Sequence, residues 1–215
     1  EKSMDNQLTR TPASKMAPAV ATSIALDTSA RYAEEVKGML FVARQFPRDV
    51  VAAQDRIMAA CCCLELAENA SYEYARAGNE IYGPSIRLLE AVAQLYGNLT
   101  YGLRELHQTQ SETIVESYAW DMESNVRAAR TFTVRLVRYT REGSYALEDP
   151  RDVYELAANM GQRRVRACLQ AVIPRHIVDA ALSQCERTIA EKRPVTPEVL
   201  KRLIESFEKH GVTRA

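Results

Sequence analysis

Apolar and polar positions along this chain follow two different periods, and the switches between them divide it into elements. From Ser29 to Gln45 the apolar stripe Tyr32, Val36, Leu40 and Phe41 has helical spacing. Phe46-Pro47 breaks that helix, and a second is predicted from Arg48 to Ala70, with Val51, Ile57, Met58, Leu64 and Leu66 as core candidates. The period then drops to two. Ser71 to Ala77 alternates, placing Tyr72, Tyr74 and Arg76 on one strand face. Gly78-Asn79 predicts a turn and Ile81-Tyr82 a short return strand. After Gly83-Pro84-Ser85 the helical period returns as far as Tyr96, with Gly97-Asn98 as its C-terminal cap.

Three strand-like stretches follow, 99–108, 112–120 and 128–140. The short link Thr109-Gln110-Ser111 makes the first two an antiparallel pair. In the third, Phe132, Val134 and Leu136 share one face and Thr131, Thr133 and Arg135 the other. Residues 143–150 read as a loop. Asp149-Pro150 opens a long helix to about Val172, Ile173-Pro174 ends it, and a further helix covers 175–192. An amphipathic helix, Glu198 to His210, carries Leu200, Leu203, Ile204 and Phe207. The order gives an α+β fold: a small antiparallel sheet (a hairpin plus a three-stranded meander) packed on a long helix, with flanking N- and C-terminal helices. Three regions are expected: a flexible arm over 1–28, a core over 29–192 and the C-terminal amphipathic helix over 193–215.

Charge changes the picture locally. The 215 residues balance at 28 basic and 28 acidic side chains. Between Ser124 and Arg141, however, stand Arg127, Arg130, Arg135, Arg138 and Arg141 and no acid. A second cluster follows at Arg163, Arg164 and Arg166. Such one-sided charge serves either as a solvated face or as a grip on a polyanion, since arginine holds phosphate in a planar bidentate fork. Arg163 and Arg166, three apart, share a helix face, and Arg164 lies about 100° round. No apolar run approaches the length of a bilayer span, so no membrane partner is expected. The start, Glu1 to Ser29, lacks the basic region and apolar block of a signal peptide, which leads to the expectation of a cytoplasmic protein. The five cysteines read as small buried hydrophobes.

Candidate chemistry is sparse. The sequence has no glycine-rich phosphate loop ending in Lys-Ser/Thr and no Gly-x-Ser-x-Gly elbow, and His107, His176 and His210 stand beside no nucleophile. Glu116, Asp121 and Glu123 form the one acidic set that a metal-dependent nuclease would use, although strand parity sends Glu116 and Asp121 to opposite faces. A non-catalytic adaptor is the other alternative. Single-strand nucleic-acid binding has more support. Tyr72, Tyr74 and Arg76, with Tyr82 across the turn, are either half-buried packing residues or a row that stacks bases beside a guanidinium. Ser85 and Arg87 at a helix start offer backbone N–H groups to a phosphate, or a plain cap.

The segment Ala157-Ala158-Asn159-Met160-Gly161-Gln162-Arg163-Arg164-Val165-Arg166, followed by Ile173-Pro174, resembles the late basic helix of phage single-strand annealing proteins of the RecT and Red-beta group. Gly83-Pro84-Ser85-Ile86-Arg87-Leu88-Leu89-Glu90-Ala91 with Tyr96-Gly97-Asn98, and Ser117 to Val126 as a central hairpin, carry the same likeness, which spans roughly 46–189. The resemblance implies a non-catalytic protein that binds single-stranded DNA in a positive groove and assembles as a ring or filament. It implies pairing of complementary strands into duplex without ATP, in phage homologous recombination inside a bacterial host cell. No catalytic cofactor is implied; Mg2+ would serve annealing, not chemistry. The implied partners are DNA, further copies of the chain, and a phage exonuclease or host single-strand-binding protein. The implied DNA-binding residues are Tyr72, Tyr74, Arg76, Ser85, Arg87, Arg127, Arg130, Arg135, Arg138, Arg141, Arg163, Arg164 and Arg166.

Overall fold

The computed structural model describes residues 18–76, 78–193 and 196–211. The chain divides into two units, Glu1–Val42 and Ala43–Ala215. Helix α1 is Pro18–Gln45. It begins well before Ser29, so the later part of the expected arm is helical, and residues 1–17 lie outside the described residues.

In the second unit the helix expected over 48–70 is two helices, α2 (Val50–Cys61) and α3 (Leu64–Glu68). Asp49 caps α2 by accepting from the Ala52 N–H at 3.0 Å. The break falls at Cys62-Cys63, and helix α6 (Arg175–Lys192) takes up the carbonyls it frees. Thr188 Oγ1 donates to Cys61 O at 2.9 Å and Lys192 Nζ to Cys62 O at 2.6 Å. Cys61, Cys168 and Cys185 are buried as expected; Cys62 and Cys63 are exposed, because the break turns them out of the helix stripe.

The hairpin β1 (Ser71–Arg76) and β2 (Asn79–Pro84) is antiparallel, with Tyr72 opposite Gly83. Helix α4 (Ile86–Tyr96) follows and ends at Gly97, whose φ of 81° suits glycine. Strands β3 (Leu99–Gln108), β4 (Glu112–Asp121) and β5 (Arg127–Arg135) form the meander, in that spatial order. β4 shows the expected alternation: Thr113, Val115, Ser117, Ala119 and Asp121 are buried, and Ile114, Glu116, Tyr118 and Trp120 face the other way.

The third strand does not run to Thr140. It stops at Arg135, and β6 (Val137–Thr140) pairs with β7 (Gly143–Ala146), inside the stretch expected to be a loop. Leu136 is the switch point. Its N–H donates to Ser111 O, its carbonyl accepts from Leu147 N, and its side chain is buried with Leu147 and Val153. Burying Leu136 redirects the backbone from one sheet to the next.

Helix α5 (Pro150–Val172) crosses the buried face of the meander. Its stripe Val165, Cys168, Leu169 and Val172 joins Ile57 of α2, Leu89 and Val92 of α4 and Ile177 of α6 in one core. Gly161 lets α5 approach closely: Ser117 Oγ donates to its carbonyl at 3.1 Å, and a Cβ there would overlap the methyl groups of Leu103. Helix α7 (Pro197–Lys209) keeps Val199, Leu200, Leu203 and Phe207 exposed.

Candidate nucleic-acid interface

The period-two pattern of β1 puts Tyr72 and Tyr74 on one face, and their rings stack at 5.9 Å with 26° between planes. Gly83, directly across the hairpin, makes room: a Cβ there would lie 2.8 Å from Tyr72 Oη. Arg166 reaches from α5 to place its guanidinium carbon 4.0 Å from the Tyr72 ring centroid. The result is a continuous row, Tyr74, Tyr72, Arg166, drawn from two elements far apart in sequence. Tyr74 is 46% exposed, so the row is open at that end. Arg163 stands one turn before Arg166 and is exposed. Arg76 ends β1 opposite Asn79, and its side chain lies outside the described residues.

A cleft of about 550 Å³ adjoins the row, lined by Tyr72, Tyr82, Pro84, Gln170 and Arg175 among others. Tyr82 Oη donates to Glu186 Oε1 at 2.6 Å; burial and that bond raise its phenol above the ordinary range. Tyr82 therefore braces the hairpin against α6.

The other basic residues do not join this row. Arg164 is about 200° round α5 from Arg166. Its guanidinium lies 3.7 Å from the Phe132 ring centroid, and it donates to Met160 O at 2.8 Å. Arg130 is on the same sheet face as Phe132, the face that α5 covers. Arg127 and Arg135 lie on the opposite face of the sheet, and Arg138 and Arg141 on the separate hairpin β6–β7, where Arg138 is opposite Tyr145. Ser85 is the N-cap of α4, accepting from Leu88 N at 3.2 Å and donating to Asn69 O at 2.5 Å. Arg87 is held by the Asn69 side-chain carbonyl. Arg76 apart, the expected DNA-binding residues thus occupy several surfaces, because strand parity and the turn at Leu136 separate arginines that are close in sequence.

The acidic set does not converge either. Glu116 is on the outer sheet face, between Arg104 at 3.7 Å and Arg127 at 3.4 Å. Asp121 is buried and paired with Arg48, through Nη2–Oδ1 at 2.9 Å and Nη1–Oδ2 at 3.1 Å. Burial, the largest single influence, would raise the Asp121 carboxyl, but the hydrogen bonds from Arg48 and the Glu123 N–H and the Arg48 charge together outweigh it and hold the group below its usual range. Glu123 accepts from the Arg48 N–H at 2.9 Å.

Sequence reading missed the outer face of the meander. There Arg104 places its guanidinium carbon 4.2 Å from the Tyr118 centroid, and Arg127 lies 6.0 Å from that of Trp120. The alternation of 112–121 already put Glu116, Tyr118 and Trp120 on one face; Arg104 joins them only through the β3–β4 register. No protein-family model, curated protein or solved structure matches this chain.

Proposed function

We propose that this chain binds single-stranded DNA along the row Tyr74, Tyr72, Arg166 and, as an assembly of copies, pairs complementary strands without ATP in phage-type recombination. The observation that supports this reading is the stack itself, two tyrosine rings and a guanidinium in series with one end exposed. Aromatic faces accept any base, and a guanidinium supplies charge to the adjacent phosphate, so the binding is tolerant of sequence. Arg163 extends the basic side of the row along α5. Held by its backbone, a strand keeps its pairing edges available to a complementary strand, and neighbouring copies multiply weak contacts through effective concentration.

The test is anisotropy of a labelled oligo-thymidine with wild type, Tyr72→Ala and Arg166→Ala. Each variant is expected to weaken binding about tenfold, the scale of one stacked base. Annealing of complementary oligonucleotides, without ATP, should fall in parallel. Affinities equal to wild type in both folded variants would remove the assignment.

A further inference from the structure

The cleft beside the tyrosine row has the size of a small-ligand site: about 550 Å³, where such sites span about 300–1,000 Å³. Pro84, Val178 and Leu182 give it an apolar wall. Of the described residues that line it, Arg175 and Asp179 are charged, and they pair with each other at 3.3 Å. The lining therefore carries no net charge. A phosphate placed inside would give up its hydration and compete with Asp179 for the one guanidinium there. A nucleobase, flat and uncharged, meets neither cost.

Tyr82 is the ring that such a base would meet. It is 48% exposed, and its Oη is fixed by the 2.6 Å bond to Glu186, so the ring is positioned before anything binds. Tyr72 already has Tyr74 and Arg166 against it, whereas no ring or guanidinium of a described residue lies over Tyr82. The register sets Tyr82 opposite Glu73, on the other face of the hairpin from Tyr72, and the cleft touches both tyrosines. Gln170, four residues after Arg166, shares its face of α5 about 6 Å further along, and it also lines the cleft. The cleft thus continues the row beyond Arg166.

We infer that the cleft is a base pocket of the same site. A strand held at Arg166 turns one nucleobase round the edge of the hairpin onto Tyr82, against Pro84 and Leu182, with the Gln170 amide at its edge. The inference rests on the reading of the Tyr74, Tyr72, Arg166 row given above. One base per copy is then withheld from pairing, and the others stay available to a complementary strand.

The test compares two labelled chains of equal phosphate number, oligo-thymidine and an abasic chain, by anisotropy with wild type, Tyr82→Ala and Tyr82→Phe. Tyr82→Ala is expected to bind oligo-thymidine about tenfold more weakly, the scale of one stacked base. Its affinity for the abasic chain should stay within about twofold of wild type, because the pocket holds a base and not a phosphate. Tyr82→Phe keeps the ring and loses the bond to Glu186, so it should stay within about twofold of wild type on oligo-thymidine. A loss in Tyr82→Phe as large as that in Tyr82→Ala means that Tyr82 acts only by bracing the hairpin, and it overturns the pocket. So does wild-type affinity for oligo-thymidine in folded Tyr82→Ala, or equal weakening on both chains. Each of these results leaves the row standing, since Tyr72→Ala and Arg166→Ala test it separately. Wild type that fails to bind oligo-thymidine removes the row and the pocket together.

Discussion

Arg48 shows how much one side chain organises. It joins the start of α2 to the far end of β4: its guanidinium pairs with Asp121, donates to Gly97 O at 2.7 Å and lies 3.7 Å from the Tyr96 ring centroid. Both members of the pair are nearly solvent-free, at 6% and 4% exposure. Breaking such a pair from one side leaves a buried, permanently charged guanidinium, so Asp121→Asn is expected to cost about 3 kcal/mol. The pH dependence has a definite sign. The folded carboxyl titrates below its ordinary value of 3.8, so the unfolded chain binds the proton first. The pair's contribution is complete above about pH 4 and is lost as pH falls through the lower, folded value. Urea unfolding midpoints of wild type and Asp121→Asn should therefore differ most near neutrality and converge toward pH 2. A gap that stays constant with pH would mean that Asp121 acts by shape rather than charge.

At the scale of elements, the contact of α5 with the meander decides which arginines meet. It depends on Gly161, whose missing side chain makes room for Leu103. Gly161→Ala gains intrinsic helix propensity of about 1 kcal/mol but forces Leu103 aside, and overpacking costs about 1–3 kcal/mol. The expected net effect is a loss, and Leu103→Ala in the same chain should recover part of it. A double-mutant cycle on unfolding free energies measures that coupling, and additive values would show that the two residues do not compete for space. These elements were largely legible in the sequence, because periods of 3.6 and 2 differ sharply and Ser85, Gly97 and Asp149-Pro150 mark boundaries chemically. What was not legible came from tertiary partners. The α2–α3 break is stabilised by Thr188 and Lys192, more than a hundred residues downstream. Leu136 looked like one more inward strand residue; only its burial with Leu147 and Val153 shows that the strand ends before it. Of the candidate site, parity alone gave Tyr72 beside Tyr74, whereas Arg166 over Tyr72 required the tertiary placement of α5, which packs on the meander. The same packing sends Arg164 to Phe132, a separation that the helical angle predicts once the buried stripe is known.

For the whole molecule, a formal charge of zero means that attraction to a polyanion rests on local arrangement and not on a net field. Salt dependence reads that arrangement. On a single strand each neutralised phosphate contributes about −0.7 to the slope of log affinity against log salt. If Arg163 and Arg166 each hold one phosphate beside the tyrosine row, Arg163→Ala with Arg166→Ala should flatten the slope by about 1.4. Arg138→Ala with Arg141→Ala removes the same formal charge from hairpin β6–β7, a separate sheet. That pair should leave the slope within about 0.3 of wild type, because charges beyond a Debye length of about 8 Å are screened at physiological salt. Oligo-thymidine titrations from low to physiological salt make the comparison at constant net charge, so a general loss of positive potential would flatten both slopes equally. Equal flattening would place the β6–β7 arginines in the strand's path and require a trough broader than the Tyr74, Tyr72, Arg166 row. Unequal flattening in the expected direction confines the phosphate contacts to α5, where Arg166 lies against the tyrosine row.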